Sequence, residues 1–263
     1  MSSIDATLLD FDPSKGEWEG EYRISECKRA LHPTDMPMIY DYGLDPYGGC
    51  EHGCVYCRSY RNSDQSQRRV VRVRPNIPER LSKELPAVRG ARICIGQSSD
   101  GYQYAERRFL MTRRCLEVLR TSSNPVCVMT KSDLVARDSD ILRETDTEVI
   151  MTITSLGRKE SLMAEPGAPL PDARLKAMRE LARDGVRTSA MVMPATAMLS
   201  GKEKELAEEL SSSETEKVYL GGLQARQIDV EPFGKRGAID SPQTLEKIAD
   251  ECSSRGLRVI RIA

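Results

Sequence analysis

Along the chain, short β-rich apolar runs alternate with longer stretches whose apolar positions recur every three or four residues. The runs lie at residues 92–96, 126–130, 148–154, 187–193, 217–220 and 257–262. Between them, residues 106–120 space Phe109, Leu110, Cys115, Leu116 and Leu119 as one buried helical stripe. Residues 132–144 open on Ser132 and Asp133, either of which suits a helix cap. Residues 172–184 put Leu175, Met178, Leu181 and Ala182 on one face and stop at Gly185. Residues 203–210 and 242–255 complete the series, and Gly256 follows the last helix as a left-handed terminator. Strand–helix alternation of this kind predicts parallel βα units. About six strands, with a seventh at the C-terminus, predict an α/β fold built as a partial (β/α)6-type TIM barrel, because eight full units need about 250 residues of repeating pattern. Residues 1–40 carry few apolar runs and are read as an irregular N-terminal extension wrapping one domain of residues 41–263. In such folds the chemistry sits in loops at the C-terminal ends of the strands.

Composition narrows the picture only slightly. Hydrophobic residues make up 39% and charged residues 30%, as in an ordinary globular domain. The net charge of -1 gives no general argument for nucleic acid or an acidic membrane. Local arginine clusters at Arg68, Arg69, Arg72 and Arg74, and at Arg107, Arg108, Arg113 and Arg114, read first as solvated faces. No run approaches the roughly 20 apolar residues that span a bilayer. Residues 1–13 are acidic and lack the parts of a signal peptide, so a cytoplasmic location without membrane partners is expected.

The cysteines change the picture more. Three of the eight fall within eight positions, as Cys50, Cys54 and Cys57. In a reducing compartment such crowding argues for metal rather than disulfides. Gly48, Gly49 and Gly53 let this loop bend tightly around one inorganic group. Thiolates suit iron–sulfur clusters and zinc alike. A zinc site would recruit His52 as a fourth ligand, although His52 lacks the spacing of a standard zinc knuckle. With only three thiolates, a four-iron cubane keeps one iron open to bind a further ligand.

The spacing Cys-x-x-x-Cys-x-x-Cys, with Tyr56 just before the third cysteine, is similar to the radical S-adenosylmethionine signature. The longer run Pro46-Tyr47-x-Gly49-Cys50-x-His52-x-Cys54-x-Tyr56-Cys57 resembles the spore photoproduct lyase-related family, often labelled DNA repair photolyases. So do Ser99-Asp100-x-Tyr102-Gln103-x-x-Glu106 and Thr130-Lys131-Ser132-Asp133-Leu134-Val135-x-Arg137-Asp138. A fourth match is Glu165-Pro166-Gly167-Ala168-Pro169-x-Pro171-x-x-Arg174-Leu175. Together they cover residues 42–194, more than half the chain.

The resemblance implies the partial barrel of the radical SAM kind, with a [4Fe-4S] cluster on Cys50, Cys54 and Cys57 and S-adenosylmethionine on the open iron. It implies cofactor contacts at Ser99, Lys131 and Thr152, with Asp100 beside them and Tyr56 packed by the cluster, where it supports either adenine or the radical path. Glu165 and Arg174 read either as cofactor contacts or as an ion pair under the barrel rim. The implied reaction is reductive cleavage to a 5′-deoxyadenosyl radical that takes a hydrogen atom from substrate. A flavodoxin- or ferredoxin-type donor would supply the electron. Where the lyase carries its hydrogen-donor cysteine, two positions before the residue matched by Ser99, this chain has Gln97, whose N–H bonds are too strong for that role. Strand alternation puts Ile95 and Gln97 on one face and turns Cys94 to the other, while Cys127 shares parity with Lys131 and Cys27 could arrive from the extension. The substrate is left between a protein or peptide side chain, a small metabolite and a damaged nucleobase. A cluster- or zinc-binding protein without catalysis is the reading from another class.

Overall fold

The structure is a computed structural model that describes residues 20–34, 36–57, 59, 69–222 and 242–262. Residues 1–19 of the expected extension, and Arg68 of the first arginine cluster, lie outside the described residues. The first strands are β1 (Glu21–Ile24), β2 (Leu31–Pro33), β3 (Tyr42–Leu44), β4 (Tyr47–Gly48) and β5 (Val70–Val73), followed by helix α1 (Ile77–Glu84). Next come β6 (Ile93–Ile95), α2 (Ala105–Phe109), α3 (Met111–Leu119), β7 (Val126–Thr130), α4 (Ser139–Leu142) and β8 (Thr147–Thr152). The chain continues through α5 (Arg158–Ala164), α6 (Pro171–Arg183), β9 (Arg187–Val192), α7 (Glu203–Ser212) and β10 (Lys217–Gly221), and closes with α8 (Pro242–Ser254) and β11 (Arg258–Ile262).

The main sheet has eight strands in the order β11-β10-β9-β8-β7-β6-β3-β2. All neighbouring pairs are parallel except β2 with β3. The two edge strands do not pair with each other, so the barrel is partial, as expected. Alternation along the strands separates two cores. Ile95, Val128, Val149, Met151 and Val192 face the helices, where Leu116, Leu175, Met178 and Leu181 meet them. Burying each such side chain contributes about 1.5–3 kcal/mol. Cys94, Cys127, Met129, Ile150, Met191 and Tyr219 face the barrel interior.

Several elements differ from the sequence expectation. Two strands, β1 and β2, form within the stretch read as irregular. β1 joins β5 and β4 in a small separate sheet directly before Cys50, while β2 borders the main sheet. The helix expected over residues 106–120 breaks at Leu110, which takes the left-handed conformation at φ 55°. The break lets the Glu106 carboxylate accept from the Thr112 and Arg113 amides, at 2.8 and 3.1 Å. Those are donors that the start of α3 leaves free. The helix expected over residues 132–144 is a 3-10 turn, Asp133–Asp138, followed by short α4. Ser132 caps it, its hydroxyl accepting from the Leu134 N–H at 3.2 Å.

Candidate cofactor site

The cysteine loop is clamped on both flanks. Gly49 holds φ at +89°, and a Cβ there would stand 2.4 Å from the Val70 carbonyl oxygen, so only glycine fits against β5. The Glu51 N–H donates to Gln103 Oε1 at 3.1 Å, and Gln103 Nε2 donates back to the Gly49 carbonyl at 3.1 Å. On the other flank, Val55 N–H donates to the Ala164 carbonyl and Gly167 N–H to the His52 carbonyl, each at 2.9 Å. The segment after α5 thus sits directly on the loop.

Cys50, Cys54 and Cys57 line one cavity of about 410 Å³ at the C-terminal ends of the strands. Tyr56, Ser99, Asp100, Lys131 and Thr152 line the same cavity. The segments matched after β6 and β7, with Thr152 at the end of β8, therefore converge where a barrel fold gathers its ligand groups. Burial pushes the Cys50 thiol well up and the Cys54 thiol up to about 12, although the Lys131 charge opposes the rise at Cys54. Ligation by iron would displace these protons. Among the described residues, no three His, Cys, Asp or Glu groups are gathered for a single metal ion. Three thiols lining one cavity supply the donor set of an iron–sulfur cluster with one open iron. The His52 ring Nδ1 lies 3.4 Å from Asp100 Oδ2.

Asp100 is a hub. Its carboxylate accepts from the Thr130 hydroxyl at 2.7 Å, the Tyr102 N–H at 2.8 Å and the Lys131 N–H at 2.8 Å. Burial alone would raise its pKa, but the His52 ring and these donors bring it down to about 2. Ser99 donates its hydroxyl to the Tyr47 carbonyl at 2.7 Å. The Lys131 ammonium sits 5.5 Å from the Tyr56 ring centroid. Among the described residues it has no carboxylate within ion-pair distance, although the Glu165 and Asp100 charges act on it from further off, and it lies on the cavity wall beside an aromatic ring.

Glu165 and Arg174 stand one layer behind the cavity wall, both fully buried. They pair at 2.5 Å, through an ion contact that is not an aligned hydrogen bond. Arg174 also donates to the Pro169 and Thr152 carbonyls, at 2.7 and 3.0 Å. Glu165 accepts from Thr154 at 2.8 Å and, closely, from the Tyr56 hydroxyl. Burial alone would raise the Glu165 pKa, but Arg174, Lys131 and these hydrogen bonds hold it below the usual range. Burial and Glu165 push the Tyr56 phenol well above its usual value. A second network explains other matched residues. Glu106, Arg137, Asp138 and Tyr47 interlock through Arg137–Glu106 at 2.9 Å, Arg137–Asp138 at 2.7 Å and Tyr47–Glu106 at 2.5 Å. These residues brace the loop from below rather than facing the cavity.

The remaining cysteines differ from expectation in one respect. Gly96 takes φ +101°, where a Cβ would stand 2.2 Å from the Met129 carbonyl oxygen, and this breaks the strand alternation after Ile95. Gln97 therefore lines the cavity, yet Cys94 also faces the interior, paired in register with Cys127. Neither thiol lines the cavity. Cys27 is held away by Asn76, whose Oδ1 accepts from the Cys27 N–H at 2.9 Å. Sequence reasoning missed the methionine side of the cavity, formed by Met36, Met38, Met129, Met191 and Met193. The only signal for it was the shared inward parity of Met129 and Lys131.

No family model matches the chain. It is 28% identical over 196 residues to an uncharacterized protein of Mycobacterium tuberculosis, covering 68% of this chain and 57% of that protein. An uncharacterized protein of Methanocaldococcus jannaschii is 28% identical over 175 residues, 64% of this chain and 65% of that one. The chain thus spans 57% to 65% of the length of these curated relatives. Among solved structures, Streptococcus suis SuiB bound to S-adenosylmethionine superposes with a TM-score of 0.60 at 13% identity, over 84% of this chain and 50% of SuiB. A cysteine-to-serine variant of spore photoproduct lyase superposes with a TM-score of 0.70 at 15% identity, over 92% of this chain and 82% of the lyase. The lyase in complex with a dinucleoside spore photoproduct gives 0.69 at 16% identity, over 92% and 82%. The fold is that of the radical S-adenosylmethionine partial barrels. Within that class it is related to the fold of spore photoproduct lyase. Among the described residues no helix is long and apolar enough to cross a membrane.

Proposed function

We propose that this protein is a cytoplasmic radical S-adenosylmethionine enzyme that abstracts hydrogen from a protein or peptide side chain or a small metabolite. The observation that carries the reading is the convergence of three partly buried cysteines and Lys131 on one cavity at the strand ends. Cys50, Cys54 and Cys57 would hold a [4Fe-4S] cluster. Bound there, such a cluster supplies the single electron, delivered by a flavodoxin- or ferredoxin-type donor, that breaks a carbon–sulfur bond of S-adenosylmethionine and leaves a 5′-deoxyadenosyl radical. Lys131 would pair with the cofactor carboxylate, and Thr152 and Ser99 would contact its polar atoms. Asp100 orients the Lys131 backbone, and the Glu165–Arg174 pair holds Tyr56 against the same wall. Residues 41–263 would form the catalytic unit, with residues 1–40 as an extension of it. Gln97 in the cavity wall supports a reaction other than thiol-dependent reversal of a thymine lesion.

The test is product formation after anaerobic reconstitution. With dithionite, the parent protein is expected to convert S-adenosylmethionine to 5′-deoxyadenosine and methionine, and Cys54→Ala to lose at least about 100-fold of that rate. Equal product from the parent and Cys54→Ala would refute cleavage at this loop.

A further inference from the structure

The cavity is chemically divided. The cluster loop and the ends of β6, β7 and β8 give it a polar side, with Lys131 and the His52–Asp100 pair as its charged groups. A second part of the lining is apolar: Met36 and Met38 from the segment before β3, Met129 from β7, Met191 and Met193 at the end of β9, and Ile262 at the end of β11, all but Met38 packing in one inner cluster. Among the described residues, no carboxylate, ammonium or guanidinium lines this second side. Met129 and Met191 are 9% and 5% exposed and pack into the inner core, whereas Met38 is 64% exposed at the rim. The apolar side is therefore anchored at depth and open at the mouth.

Gln97 also lines the cavity, but its amide oxygen is buried against Gly43 and the His32 ring rather than offered to a ligand. Thioether side chains are flexible and polarizable, so they mould around apolar groups and contact ring edges favourably. A phosphate or carboxylate placed among them would lose its hydration with no counter-charge. Shared with a cofactor on the polar side, a cavity of about 410 Å³ leaves room for a group, not a large molecule.

We infer that the methionine side is the substrate subsite, and that it accepts an uncharged, largely apolar group of side-chain or ring size. Any anionic part of the substrate stays outside the mouth. This rests on the function proposed above, which assigns the polar side to the cofactor.

The experiment uses the reconstituted holoprotein with S-adenosylmethionine, and two probes of one shape, indole and indole-3-carboxylate. Binding is followed by ligand-observed NMR and equilibrium dialysis. Indole is expected to bind about tenfold or more tightly than the carboxylate. Met36→Lys, at the partly exposed rim, is expected to narrow or reverse that preference with an unchanged circular dichroism spectrum. Equal or tighter binding of the carboxylate by the parent protein, or no binding of indole, overturns the inference. Binding of S-adenosylmethionine is measured separately on the same sample. Its absence alongside a retained indole preference would count against the radical reading and leave the apolar subsite standing.

Discussion

Arg174→Ala is expected to destabilise the protein by about 3–5 kcal/mol, the cost of leaving a buried charge without its partner. Arg174 and Glu165 are both fully buried, and the guanidinium also holds the Pro169 and Thr152 carbonyls. Removing it leaves Glu165 with only the Tyr56 and Thr154 hydroxyls and the more distant Lys131 charge. The midpoint of thermal unfolding should fall by on the order of 10 °C. Glu165→Gln with Arg174→Met removes both charges at similar volume and should recover most of the loss. A single mutant as stable as its parent, or a double mutant worse than Arg174→Ala, would show that the pair does not brace this wall.

The second large effect is on cofactor affinity. Lys131→Ala is expected to weaken S-adenosylmethionine binding to the reconstituted protein about 30- to 100-fold, equivalent to roughly 2–3 kcal/mol for a lost charged hydrogen bond. The ammonium is partly buried on the cavity wall, close to Tyr56, and lacks a carboxylate partner among the described residues. Iron content should stay at the parental level, because Lys131 is not a cluster ligand in this account. Stability should change little, since the replaced charge carries its own desolvation cost. Isothermal titration with S-adenosylmethionine measures the affinity, and an unchanged value would remove Lys131 from the binding site.

Much of the barrel was legible because strand and helix periods differ so clearly. Val126–Thr130 matches its strand residue for residue, and each of the other five expected runs overlaps a parallel strand to within two residues at either end. β3 escaped because it is three residues long with a central glycine, too short for a periodic signal. The small β1-β5-β4 sheet escaped because its pairings join segments far apart in sequence. Phe109 and Leu110 looked like steps of a continuous helix, but Glu106 reaches the next helix start only if the backbone turns at Leu110.

The site divides in the same way. Cys50, Cys54, Cys57, Tyr56, Ser99, Asp100, Lys131 and Thr152 all line the cavity, Thr152 as the last residue of β8 and the others in the matched loops. Glu165 and Arg174 carried two readings in sequence, and the structure places them behind Tyr56 as a buried pair. The orientation of Cys94 depended on Gly96, whose positive φ resets the alternation for the residues after it. The methionines come from separate segments and share no sequence spacing, so only the fold brings them together.

The central claim is that the cysteine loop holds a four-iron cluster with one iron open to S-adenosylmethionine. Iron and sulfide analysis, combined with low-temperature EPR of the reduced protein before and after adding S-adenosylmethionine, tests it most directly. The account predicts about four irons and four sulfides per chain and a cluster signal that shifts when the cofactor binds. A single bound zinc ion, or a cluster whose spectrum is the same with and without S-adenosylmethionine, would contradict it.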